Sequence, residues 1–198
     1  MRQADRAVAA LGRAQLETNS IRRSLWLAKA ADYSIRERAV LVGGAAVNLH
    51  TGSYRPTDID MCARLDEADR QVLVDVGFRN TQGDHFAFEF DNGEVWLLEF
   101  PASIVDGDVS SIRLSREDTL YVIRLESLVI DRVLQATDGT TVTFDEAVRL
   151  VVAAFEEADW DWVSEDVRRR SSLESGLGLA DVYSRLVGRA RSLLEAAD

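Results

Sequence analysis

Residues 39–61 read AVLVGGAAVNLHTGSYRPTDIDM. The short apolar run Ala39–Val42 has the length and bulk of a buried strand and stops at Gly43-Gly44. A helix-compatible segment follows, a turn from Gly52 to Pro56 closes it, and a second apolar run carries Asp58 and Asp60. The order is strand, glycine turn, helix, turn, strand. Paired glycines between a strand and a helix let the backbone approach an anion closely, and the helix N-terminus behind them presents free N–H groups and a partial positive charge. Asp58 and Asp60 are two apart on an extended segment, so both side chains leave the same face. Two carboxylates converging there repel each other unless a cation lies between them, and a hard, oxygen-seeking ion such as Mg²⁺ is the usual solution.

Gly43-Gly44, thirteen residues, then Asp58-Ile59-Asp60, with Arg55 and Thr57 just ahead, resembles the signature of the DNA polymerase β-like nucleotidyltransferase superfamily. Within it, the chain is most similar to the small branch of AbiEii-type toxins and minimal nucleotidyltransferases. The likeness spans roughly Val40 to Pro101. It implies an α+β fold, a nucleotidyltransferase-like mixed sheet with flanking helices and a C-terminal helical part. It also implies that Gly43 and Gly44 bind the triphosphate of an NTP, with Arg55 and Thr57, just ahead of Asp58, as further candidates for that binding, and that Asp58 and Asp60 bind two Mg²⁺ (or Mn²⁺) ions. A third acid on a later strand completes such a site. The implied reaction moves a nucleoside monophosphate from an NTP to a hydroxyl acceptor, either an RNA or tRNA end or a protein side chain, in a setting related to toxin–antitoxin pairs. Two departures, Gly-Gly where many relatives have Gly-Ser and Glu in place of Asp as the third acid, favour an alternative: a non-catalytic protein of the same fold acting as an antitoxin-like or scaffolding partner.

Glu99 and Glu89 compete for the third acid. Both lie in a hairpin, HFAFEF then EVWLLEF, joined through Asp91-Asn92-Gly93. With Asn92-Gly93 as a two-residue turn, Phe86 falls opposite Glu99, and Glu89 faces the other way beside Trp96. VWLLEF is apolar on both faces and reads as an interior strand, where a carboxylate needs a compensating charge. That reasoning favours Glu99, and the resemblance likewise favours an acid near the end of this strand, just before Pro101.

A net charge of −11 excludes a protein that holds nucleic acid by its overall field. A local basic surface is still available in Arg168-Arg169-Arg170 with Arg185, Arg189 and Arg191. Lys29 is the only lysine against 22 arginines, and aspartate outnumbers glutamate 20 to 14, a bias that suits a GC-rich genome and a salt-rich cytoplasm. The lone Cys62 rules out an internal disulfide, and two distant histidines, His50 and His85, make no zinc motif. No run approaches the about 18 apolar residues of a membrane span, and the expected location is cytoplasmic.

Elsewhere, periodicity predicts a helix over residues 2–18 with Ala7, Val8, Leu11 and Leu16 on its apolar side, and a second helix capped by Asn19 or Ser20. Asp66–Gly77 reads as a helix with an acidic first turn, and Phe78 opens a short strand. From Ser115 the pattern reads as helical throughout, with Trp160 and Trp162 in an acidic turn. The expected organisation is an α/β part with its N-terminal helices over residues 1–110 and a helical region over 111–198 packed on it.

Overall fold

The structure is a computed structural model describing residues 3–52, 56, 58–173 and 178–197. Its contacts divide the chain into two compact units, Met1–Leu49 with Tyr54–Ile123, and His50–Ser53 with Arg124–Asp198.

Alanines dominate the inward face of α1 (Gln3–Leu16): Ala7, Ala10, Leu11 and Ala14 are buried, and their small side chains let α1 lie close along α2 (Ser20–Ser34). Val8 and Leu16, expected on that face, are exposed, because the stripe through 7, 10, 11 and 14 leaves them off its edge. Asn19 caps α2 by accepting a hydrogen bond from the Arg22 N–H at 3.0 Å.

The first unit is built on a seven-stranded mixed sheet. Its strands are β1 (Val40–Val42), β2 (Asp58–Cys62), β3 (Arg79–Gln82), β4 (His85–Glu89), β5 (Val95–Ala102), β6 (Val109–Arg113) and β7 (Thr119–Ile123). They lie in the order β3-β4-β5-β2-β1-β7-β6, with β2–β5 and β1–β7 parallel and the remaining pairs antiparallel. Leu41, Ile59, Met61, Phe86, Leu98, Leu120 and Val122 share one face and are fully buried; α2 packs on β2 and β7, and α4 (Glu67–Val76) on β3. α4 opens with a capping box between Asp66 and Asp69 and stops at Gly77, whose φ of +125° ends the helix where other residues would be strained. Between β1 and β2 runs α3 (Gly43–Thr51).

Three sequence expectations change here. First, Phe90 N–H donates to the Glu94 carbonyl and Gly93 N–H to the Phe90 carbonyl, both at 2.8 Å, so the β4–β5 loop has three residues, with Gly93 at φ +80°. The pairing is therefore shifted by one from the expected register: His85, not Phe86, stands opposite Glu99, and Glu89 pairs with Val95. Second, β5 is interior in the sheet but only one of its faces is covered; Val95 and Leu97 are exposed. It also runs through Pro101 instead of stopping there. Third, the sheet continues past residue 110, because β6 and β7 form its far edge. Leu120 and Val122 alternate inward with Thr119 and Tyr121 outward, and only Arg124 separates this strand from the next helix, so strand and helix merge into one apparent apolar stripe.

Asp118, in the turn between β6 and β7, ties this edge to the first two helices. It accepts hydrogen bonds from the Tyr33 hydroxyl and from Arg13 Nη1, each at 2.6 Å, and from Ser115 Oγ. Burial pushes the Asp118 carboxyl up, but the Ser115, Tyr33 and Arg13 donors outweigh it and hold the group at about 2. Burial and the bond to that carboxylate push the Tyr33 hydroxyl up to about 12.

The second unit is helical: α5 (Leu125–Gln135), α6 (Thr141–Ala153), α7 (Trp160–Leu173) and α8 (Leu179–Glu195). Leu128, Val129, Ile130 and Val133 of α5 and Ala147, Val148, Leu150 and Val151 of α6 form its core. Trp160 and Trp162 lie in the first turn of α7, not in a loop, because Asp159 accepts the Trp162 N–H at 3.0 Å and starts the helix.

Candidate active site

Strand pairing assembles the predicted carboxylates. Val42 pairs with Asp60 across β1–β2; Asp58 pairs with Leu97 and Asp60 with Glu99 across β2–β5; Glu99 pairs with His85 across β5–β4. Directly paired residues project from the same side of a sheet, and neighbouring strands lie about 4.8 Å apart. Asp60, Glu99 and His85 therefore form a row across three strands, with Asp58 two residues before Asp60 on the same face. Asp58, Asp60 and Glu99 are half-buried. Glu89 shares this face but sits at the hairpin end of β4, with Val95 and not an aspartate beside it.

Gly43 has φ +60°, a conformation that favours glycine, and a Cβ built on it would fall 1.8 Å from Asp60 Oδ2. The Asp60 carboxylate thus lies against a bare Cα, where a side chain would displace it. Gly44 follows in the first turn of α3, so the anion-attracting end of that helix begins beside Val42, the partner of Asp60. Arg55 and Thr57 lie outside the described residues. On α3, Asn48 is buried and His50 is in the last turn.

His85 Nδ1 lies 3.3 Å from Glu99 Oε1. As the side chains stand, no three His, Cys, Asp or Glu residues enclose a metal ion among the described residues. The donor chemistry of the row still suits Mg²⁺ or Mn²⁺: the side chains of Asp58, Asp60 and Glu99 offer only carboxylate oxygens, and adjacent strands bring Asp60 and Glu99 side by side. The sequence reading does not place His85 beside Glu99 because its hairpin register is off by one. A three-residue Asp91-Asn92-Gly93 loop with glycine in the left-handed position would have placed it opposite Glu99.

No protein-family model matches the chain, and no curated protein matches it in sequence. Among solved structures it is similar to an antigenic nucleotidyltransferase-like protein from Paracoccidioides brasiliensis, with a TM-score of 0.51 and 15% identity, over 82% of this chain and 94% of that one. The fold is nucleotidyltransferase-like. The likeness reaches the fold and does not single out the AbiEii-type branch.

On this nucleotidyltransferase-like frame the basic run of α7 is largely committed to internal pairing. Arg169 Nε and Arg170 Nε donate to the buried Asp166 at 3.1 and 2.7 Å. Burial raises the Asp166 carboxyl, and the two guanidinium groups more than offset that, leaving it below the usual carboxylate range. Arg185 stacks over Phe144, and Arg132 of α5 bonds Gln135 and lies 3.9 Å from Glu146. Among the described residues no helix is long and apolar enough to cross a membrane.

Proposed function

We propose that this chain is a Mg²⁺- or Mn²⁺-dependent nucleotidyltransferase that moves a nucleoside monophosphate from an NTP to a hydroxyl acceptor. The acceptor oxygen forms a bond to the α-phosphorus, the bond from that phosphorus to the bridging oxygen breaks, and pyrophosphate leaves. The observation that supports this reading is that Asp60, which lies against the bare Cα of Gly43 at the start of α3, is paired with Glu99 and shares a sheet face with Asp58. Asp58, Asp60 and Glu99 are the residues that would hold the metal. When bound, the ions neutralise triphosphate charge and acidify the acceptor hydroxyl. Gly43 and Gly44 offer backbone N–H groups at the helix N-terminus to the phosphates, and Arg55 and Thr57, just ahead of Asp58 in sequence, are further candidates to bind them. The acceptor is an RNA or tRNA end or a protein side chain, and a toxin–antitoxin pairing is the wider setting proposed.

A second reading has its own support. Glu99 is turned to His85, and the acids do not enclose an ion as they stand, as a non-catalytic scaffolding or antitoxin-like protein would allow. Incubation with Mg²⁺, each labelled NTP and total RNA or cell lysate separates the two. Label transferred to a macromolecule supports the enzyme; nucleotide binding without transfer for all four NTPs favours the scaffold.

A further inference from the structure

We infer that His85 is a positioning residue that fixes the Glu99 carboxylate for metal binding; this rests on the reading of Glu99 as a metal ligand. His85 is the first residue of β4 and is directly opposite Glu99, which is itself directly beside Asp60. The imidazole and the two acids therefore lie in one line across three strands.

Glutamate has one more rotatable bond than aspartate, so Glu99 has more side-chain freedom to lose on ligating an ion than Asp58 or Asp60. A second hydrogen bond to a ligating carboxylate removes that freedom in advance, and such outer partners orient ligands in metal sites generally. The His85 ring occupies the position from which to do this. Nδ1 lies 3.3 Å from Oε1, so a small rotation of either side chain would bring an Nδ1 proton onto Oε1 and leave Oε2 for an ion. Among the described residues Glu99 is the only side-chain partner of the ring, and the ring the only side-chain partner of the Glu99 carboxylate. The imidazole is 56% exposed, so it contributes little to the core, and the tie to Glu99 is the role that its position supports.

The test measures Mn²⁺ dissociation constants on the full chain, from the electron paramagnetic resonance signal of free Mn²⁺, for wild type, His85→Ala, His85→Asn, Glu99→Gln and Asp60→Asn. His85→Ala is expected to weaken Mn²⁺ about 10- to 100-fold without changing the unfolding midpoint. His85→Asn, whose amide nitrogen takes the place of Nδ1, is expected to recover most of that loss. A His85→Ala variant with wild-type Mn²⁺ affinity, while Glu99→Gln is weakened, overturns the inference and leaves the ligand assignment standing. An Asn variant as weak as the Ala variant also overturns it, since ring bulk and not an N–H donor would then be acting. If wild type takes up no Mn²⁺, or neither Glu99→Gln nor Asp60→Asn alters its affinity, the metal reading itself fails and the inference with it.

Discussion

Replacing Gly43 with alanine should damage both the stability of the first unit and the placement of Asp60. Two separable costs apply. The residue has φ +60°, and an L-residue in that region pays about 1–2 kcal/mol. The new methyl would also fall 1.8 Å from Asp60 Oδ2, 2.7 Å from its Cγ and 2.9 Å from its Cβ, so Asp60 must leave its position. Overpacking of this kind costs about 1–3 kcal/mol. Together they come to about 2–5 kcal/mol, against a total stability of about 5–15 kcal/mol for a natural domain. Urea denaturation followed by circular dichroism reads the loss directly.

Gly83→Ala is the control: its φ of +55° is nearly the same, and a Cβ there meets nothing within 4 Å, so only the backbone cost of about 1–2 kcal/mol remains. In an Asp60→Ala background the 1.8 and 2.7 Å clashes vanish and only the 2.9 Å approach to Cβ remains, so Gly43→Ala should cost less than in wild type while staying above the control. If Gly43→Ala costs no more than Gly83→Ala, or costs the same with Asp60 present and removed, the close approach of glycine and carboxylate is refuted.

Other outcomes follow from the same geometry. Glu99→Gln should abolish transfer while Glu89→Gln leaves it nearly intact, because only Glu99 pairs with Asp60; the reverse result in a labelled-NTP assay would refute the strand register. Mg²⁺ or Mn²⁺ should raise the melting temperature of wild type but not of Asp60→Asn, and an equal response in both proteins would remove Asp60 from the metal site. Asp118 is held at about 2 against an ordinary 3.8, so its stabilising effect is present above 3.8 and disappears as the pH falls towards 2. The loss is about 2 kcal/mol, and Asp118→Asn should flatten the acid limb of a stability–pH curve. Tyr33 is raised from 10.0 to about 12, so its contribution is present below 10 and is lost as the pH climbs from there to about 12; Tyr33→Phe should flatten that alkaline limb.

Local pattern was enough for the centre of the molecule. The strand–glycine–helix order, the shared face of Asp58 and Asp60, the Asn19 cap and the acidic start of α4 all depend on residues close in sequence, and each is found where the pattern placed it. Partner choice was another matter. Nothing in periodicity tells Asp60 that its neighbour is Glu99, about forty residues on, because parallel pairing needs a crossover whose endpoint is set by the packing of the whole sheet. The same limit hid β6 and β7: β7 pairs with β1 across some eighty residues, and its inward Leu120 and Val122 run almost without a break into α5. The arginine run of α7 read as a basic surface because the sequence shows charge but not that Asp166, one turn earlier, binds Arg169 and Arg170.

Glu99 is favoured in the sequence by the apolar strand around it and by the resemblance, and although the expected hairpin register is one residue out, the link to Asp60 rests on pairing outside the hairpin. The slip changes which β4 residue faces Glu99, but the neighbour on its other side is fixed by the β2–β5 ladder. That ladder is regular from Asp58 to Asp60 and breaks immediately afterwards: Asp60 pairs with Glu99, yet Cys62 pairs with Ala102, so Phe100 and Pro101 together oppose Met61. Proline has no N–H to give the ladder, and a bulge is where an interior strand can tolerate one. Asp60 and Glu99 are therefore the last pair in register before the strand bends. Bulges re-aim side chains beside functional sites, and this one fixes where regular pairing ends. Pro101, first taken as the end of the strand, instead marks the place in the sequence where the acidic row stops.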